Sequence, residues 1–201
     1  MKKLFYLFII GLLFSSCVTR RTTLKTFIDP SIQNSTVKTV AVFQMRNTAF
    51  SPGETMDMDR DITQGFILKN PNEKVVGTDE SARMLNGENL ADEYASFLSG
   101  FEGSGIPNTV FLKKLNTKLN LDAILQGALY EVLQNDKMRG AKAKTSLSIR
   151  YTLLSTTNGK ILWEGTSHAI IEWHKKYAPA IFEVANLAKD KVISAFPNLG
   201  N

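Results

Sequence analysis

Few side chains in this 201-residue chain have the type and spacing that chemistry needs. The two histidines, His168 and His174, have five residues between them and no paired carboxylate motif. Metal ligation needs several convergent ligands, and this spacing does not supply them. Gly103-Ser104-Gly105 lacks the strand–turn–helix setting and the partner residues of a nucleophile elbow. Gly100, Gly103 and Gly105 follow a helical pattern and carry no Lys-Ser/Thr, so they are no phosphate-cradling loop. No catalytic constellation, metal site or cofactor is implied, and the reading is non-enzymatic.

Two clusters and one thiol remain. Lys137, Arg139, Lys142 and Lys144 place four positive charges in eight residues. They are either a contact for an acidic partner, polysaccharide or lipid headgroup, or a solvated hairpin whose charges discourage edge-to-edge pairing. Trp173-His174-Lys175-Lys176-Tyr177 mixes aromatic and basic side chains. Trp173, Lys175 and Tyr177 are therefore candidate partner contacts, or the two rings staple the start of the helix that follows. The third feature is Cys17, the only cysteine, which excludes a disulfide framework and a thiolate metal site.

The N-terminus explains that cysteine. Met1-Lys2-Lys3 is a positive leader, and Leu4 to Phe14 is an apolar run of 11 residues, too short for a finished membrane span. Ser15 and Ser16 then precede Cys17. Phe-Ser-Ser-Cys resembles the lipobox of bacterial lipoproteins, although Phe14 stands where that family usually has Leu. The resemblance implies a signal peptide over 1–16, acylation of Cys17 and anchoring in membrane lipid. It also implies the outer membrane, facing the periplasm, because Val18 replaces the Asp that retains such proteins at the inner membrane. Without Lys2 and Lys3 the formal charge of +5 falls to about +3, too weak to argue for nucleic acid.

The elements that would position these residues follow from periodicity. Residues 17–36 are polar, contain Pro30, and read as a lipidated tether. A single domain is expected over 37–197. Val37–Met45 is a strand with a continuous apolar centre, buried on both faces. The loop after it turns at Pro52-Gly53, a short helix spans Met56–Lys69, and Lys74–Val76 is a brief strand. Thr78 and Asp79 cap a short helix, Leu90–Phe101 forms another, and Asn108 caps a third through Leu119. Three strands then form a meander, LDAILQGALYEV, TSLSIRYTLL and KILWEGTSHAII. Leu147, Ile149, Tyr151 and Leu153 alternate with Ser146, Ser148, Arg150 and Thr152, giving one buried and one wet face. Asn158-Gly159 predicts the hairpin turn. A helix from Ala178 to Phe196 closes the core. The fold class is α/β (α+β), a mixed sheet of about five strands with a C-terminal antiparallel meander, covered by helices.

The order strand–helix–strand, then Leu121-Asp122-Ala123-Ile124-Leu125-Gln126-Gly127, then Asn158-Gly159-Lys160-Ile161-Leu162-Trp163-Glu164-Gly165, resembles the domain of the curli secretion channel lipoproteins. By the same resemblance it is similar to the Pel export lipoprotein, the outer-membrane activators of penicillin-binding proteins and the N-terminal domain of the Tol-Pal periplasmic protein. The resemblance implies an assembly or accessory component of an export or biogenesis machine. Its partners would be an envelope protein or further copies of itself. The alternative is a periplasmic regulator that docks on and activates a cell-wall synthase. The loop Gln134–Lys144, at 11 residues, is too short to build the membrane barrel of the curli channel.

Overall fold

The computed structural model describes residues 18–34 and 37–199; Cys17 and the leader lie outside them. Six strands form one sheet: β1 (Thr19–Ile28), β2 (Thr39–Arg46), β3 (Lys74–Val76), β4 (Ala123–Asn135), β5 (Ala143–Ser155) and β6 (Ile161–Trp173). Five helices are α1 (Pro52–Lys69), α2 (Thr78–Gly87), α3 (Ala91–Ser104), α4 (Thr109–Leu119) and α5 (Ile181–Ser194). The sheet order is β1-β6-β5-β4-β2-β3. Contacts among β4, β5, β6 and β1 are antiparallel, whereas β2 runs parallel to both β3 and β4. The expected mixed α+β architecture is present.

The tether corrects first. Thr19–Ile28 is hydrogen-bonded along its whole length to β6, from Thr19 opposite Glu172 to Ile28 opposite Trp163. This gives the sheet a sixth strand. Threonine is β-branched and favours extended backbone, and one apolar side chain suffices for an edge strand. Leu24 is that side chain, packed against the main core. The stretch reads as polar because its other face meets solvent. A 3-10 turn over Pro30–Asn34 buries Ile32 and returns the chain to β2.

Helix starts also move. Pro52 is not a turn residue but opens α1, where its missing N–H costs nothing. Ser51 and Glu54 form a reciprocal capping box in front of it. Gly77, not Thr78 or Asp79, caps α2, which runs on through Gly87. Asn108 caps α4 as expected, accepting from the Val110 and Phe111 N–H groups.

Both faces of β2 are buried. Val40 and Val42 join the core between the sheet and helices α1 and α5, while Ala41 and Phe43 join a second core beneath α2, α3 and α4. The meander lays Tyr151 directly opposite Gly127 on one side and Gly165 on the other. A methyl group on Gly127 would come within 2.5 Å of the Tyr151 ring, and one on Gly165 within 2.5 Å of the Trp163 ring. Gly127 thus makes room for a cross-strand ring and not for a covering element. At the β5–β6 turn only Gly159 has positive φ (+73°). Asn158 instead accepts the Lys160 N–H on its side chain, so the loop is longer than a two-residue Asn-Gly turn. The Thr156 hydroxyl donates to Leu121 O at 2.5 Å and holds that loop to the start of β4.

Two outcomes test this packing. Gly127→Ala is expected to lower stability by about 1–3 kcal/mol, the range for overpacking, in urea unfolding. Deleting 18–28, harmless in a tether, should strip β6 of its partner and lower the melting temperature by several degrees.

Candidate functional site

The residues nominated from sequence come together at one end of the sheet. Register places the last residue of β4, the first of β5, the last of β6 and the first of β1 side by side: Asn135 opposite Lys144, Lys144 and Thr19 each opposite Glu172, and Ala143 opposite Trp173. Lys137, Arg139 and Lys142 lie on the short β4–β5 turn, while Lys144 belongs to β5. The β6–α5 segment folds against this turn. The Lys137 N–H donates to Lys176 O at 2.9 Å, and the Lys137 ammonium donates to His174 O at 3.1 Å. The Ala178 N–H donates to Asp136 Oδ1, and Gln134 and Thr145 both donate to Pro179 O. Trp173 Nε1–H donates to Tyr177 O at 2.6 Å. That bond runs to a backbone carbonyl, and the Tyr177 ring itself is 64% exposed. Lys175 lies over the Trp173 ring at 4.4 Å and Lys176 over the Tyr177 ring at 5.1 Å. Together the two clusters make one basic, aromatic surface.

The opposite face of β5 and β6 is less wet than its composition predicts. Extensive helix packing on β1, β5 and β6 comes from α5 alone, on the other face. Even so, Ser146, Ser148 and Thr152 are buried, shielded between longer neighbours. The Ser148 hydroxyl donates to Glu131 Oε2 at 2.7 Å and stands 3.0 Å from His168 Nδ1. Glu131 sits at φ +56°, in a register shift of β4 between Tyr130 and Leu133. Here the hydroxyl lies between carboxylate and imidazole, whereas a hydrolase needs the imidazole in the middle to take the hydroxyl proton. The trio ties the shifted strand to β5 and β6. His174 lies in the loop after β6, as expected, and among the described residues no three His, Cys, Asp or Glu side chains could hold a metal.

Sequence reasoning missed a pair of clefts at the carboxyl ends of the parallel strands. One, of about 390 Å³, is lined by Asp59, Thr63, Gly77, Asp79 and Arg83. The other, of about 750 Å³, is lined by Arg46, Asn47, Phe50, Met56 and Tyr94. They flank the point where chain connections leave β2 and β3 for opposite faces, where open α/β sheets place ligand crevices. Asp59 is buried and accepts the Met45 N–H at 3.1 Å. Burial pushes its carboxyl up to about 6; the Met45 hydrogen bond opposes the shift and nearby Asp79 adds to it. Burial also raises the Tyr94 hydroxyl, which donates to Gln126 Oε1 at 2.6 Å. The signal was available in principle, since Asp59 stands three residues before Ile62 and seven before Phe66 on the apolar side of α1.

No family model matches the chain, and no curated protein matches it. Solved structures do. The PelC dodecamer from Paraburkholderia phytofirmans is 14% identical, with 87% of this chain and 96% of that chain covered, at a TM-score of 0.49. Lipoprotein GNA1162 from Neisseria meningitidis is 18% identical, covering 79% and 99% at 0.41. The hypothetical protein CT253 from Chlamydia trachomatis is 9% identical, covering 79% and 94% at 0.47. A lipoprotein and a dodecamer-forming protein thus stand among the neighbours. Among the described residues no helix is long and apolar enough to cross a membrane.

Asp59 gives a pH test. Its folded carboxyl binds a proton more tightly than the unfolded one, so the native state is favoured below the unfolded value near 4. That advantage is lost as pH rises through about 6. Urea unfolding at about pH 4.5 and about pH 7.5 should show wild type losing on the order of 2 kcal/mol across that window. Asp59→Asn keeps an acceptor for Met45 and should flatten the slope.

Proposed function

We propose that this chain is a non-enzymatic, lipid-anchored envelope lipoprotein, held through Cys17 in the outer membrane and facing the periplasm. It serves as an assembly or accessory component of an export or biogenesis machine and associates with further copies of itself. The observation that carries the reading is the junction of anchor and fold. Strand β1 begins two residues after Cys17 and is part of the domain's own sheet. Two residues span at most about 7 Å, so a domain that starts there is kept at the surface of the membrane that holds the cysteine.

Self-association is supported by the sheet's margins. β1 and β3 are edge strands, and an edge presents free N–H and C=O groups to a neighbouring chain. The polar face of β5 and β6, which carries little helix cover, offers a second surface for a neighbour. The basic cluster is kept as a contact surface in either case.

Metabolic labelling tests the anchor. Radiolabelled palmitate should enter the wild-type protein and be absent from Cys17→Ala, with label recovered in outer-membrane fractions. Equal labelling of both forms sinks the anchor. Native mass spectrometry of the membrane-extracted protein is expected to show a closed oligomer; monomer alone at high concentration argues against self-association.

A further inference from the structure

We propose that the end of the sheet formed by the β4–β5 turn, the β6–α5 segment and the first residues of β1 is a membrane-docking surface that lies on anionic phospholipid headgroups. The proposal uses the reading of Cys17 as the anchor, and adds which way the domain faces. Thr19 stands opposite Glu172 at the last turn of β6, so β1 starts at this end of the sheet and no other. Val18 is exposed and precedes it. Cys17 is one peptide link further on, about 3.8 Å between Cα atoms whatever direction it takes. An acyl chain on that thiol brings the bilayer to this end.

The chemistry of the surface matches such a neighbour. These three segments, extended by the strand-end residues Lys144 and Glu172 and by Glu183 beside Arg20, carry eight of the 22 basic side chains that follow Cys17 and three of the 19 acidic ones. The rest of the chain keeps fourteen basic against sixteen acidic, so the excess positive charge of the protein is gathered where the lipid is attached. Of the three acids, Glu183 is paired with Arg20 and Asp136 accepts the Ala178 N–H. Each basic group near an anionic leaflet adds to the attraction. The apolar content is of the interfacial kind. Met138 and Tyr177 are 74% and 64% exposed at the tip, and Trp173 is held in place by its own hydrogen bond to Tyr177. Indole and phenol rings partition to the headgroup level, and the lysines stacked on them can reach phosphates with their stems on the rings. A protein partner could use the charge, but the covalent tie beside Val18 selects the bilayer.

The chain's two tryptophans make the test direct, because Trp163 is fully buried and Trp173 is at the proposed contact. The full chain, purified from membranes, is added to vesicles of phosphatidylcholine with or without phosphatidylglycerol, the acyl chains brominated near the headgroup. Quenching of about half the emission is expected with phosphatidylglycerol, the share of one tryptophan in two. It should weaken as salt rises. The double charge reversal Arg139→Glu, Lys142→Glu on the β4–β5 turn removes none of the hydrogen bonds described at this end of the sheet and should keep the wild-type melting curve. It is expected to weaken the phosphatidylglycerol-dependent quenching roughly tenfold or more in lipid titration. Absence of quenching in vesicles that carry the protein, or a reversal variant that titrates like wild type, overturns the proposal. So does a self-association that the reversal abolishes while quenching stays absent, since the occupant is then a second copy. Mass analysis of the Cys17 peptide is read separately: a bare thiol there refutes the anchor, while the quenching still decides the docking.

Discussion

The sheet depends on two rings lying flat on it where glycines leave room. Tyr151 on the central meander strand has glycine on both neighbours, Gly127 and Gly165, and its ring occupies the first space. Trp163 covers Gly165 two residues along its own strand and meets Phe196 at 5.4 Å in edge contact. A fully buried tryptophan removes on the order of 200 Å² from water, about 5 kcal/mol before entropy is set against it. A side chain at either glycine would have to displace a ring. Among the described residues the Tyr151 hydroxyl and the Trp163 N–H have no hydrogen-bond partner, a cost the apolar contact must exceed.

From that row the two halves of the molecule diverge. Toward β2 and β3 the strands turn parallel and are covered on both faces, as parallel strands require. Asp122 fastens this half, its carboxylate accepting the Lys38 and Thr39 N–H groups at 2.9 Å and so aligning β2 with β4. Toward β1 the strands are antiparallel, covered on one face, and extend beyond the reach of β2, whose last pairing with β4 is at Ala128. The extension from Ala128 to Asn135 carries the sheet roughly 20 Å further, at 3.3 Å per residue. The basic and aromatic surface sits at the end of that extension, away from the clefts around Asp59.

The main features of this design were legible before any coordinates. Alternation over Leu147–Leu153, the apolar run Val40–Phe43 and the helical stripe from Ile181 to Phe196 report burial directly, because a side chain's face follows from its backbone period. The leader and lipidation readings of 1–17 rest on linear signals alone and lie outside the described residues. Three things were not legible. β1 has the composition of a linker, since an edge strand needs little apolar surface and borrows its hydrogen bonds from β6. Asp59 shares its side of α1 with Ile62 and Phe66, but only the packing of that helix against β2 shows the carboxyl buried and bonded to the Met45 N–H. The shielding of Ser146, Ser148 and Thr152 comes from the length of their neighbours on other strands, which no local pattern encodes.

The sequence alone determined the class of fold, the cores on either side of β2, and the identity of the two basic–aromatic clusters. Those follow from local periodicity and composition, which act over a few residues. Only the tertiary structure decided that the clusters, 29 residues apart from Lys144 to Trp173, form one surface, and that β1 begins beside it. Both depend on the antiparallel register of β4, β5, β6 and β1. That register is set by the pairing of β1 with β6 across most of the chain and by rings seated on glycines, not by any residue's own preference.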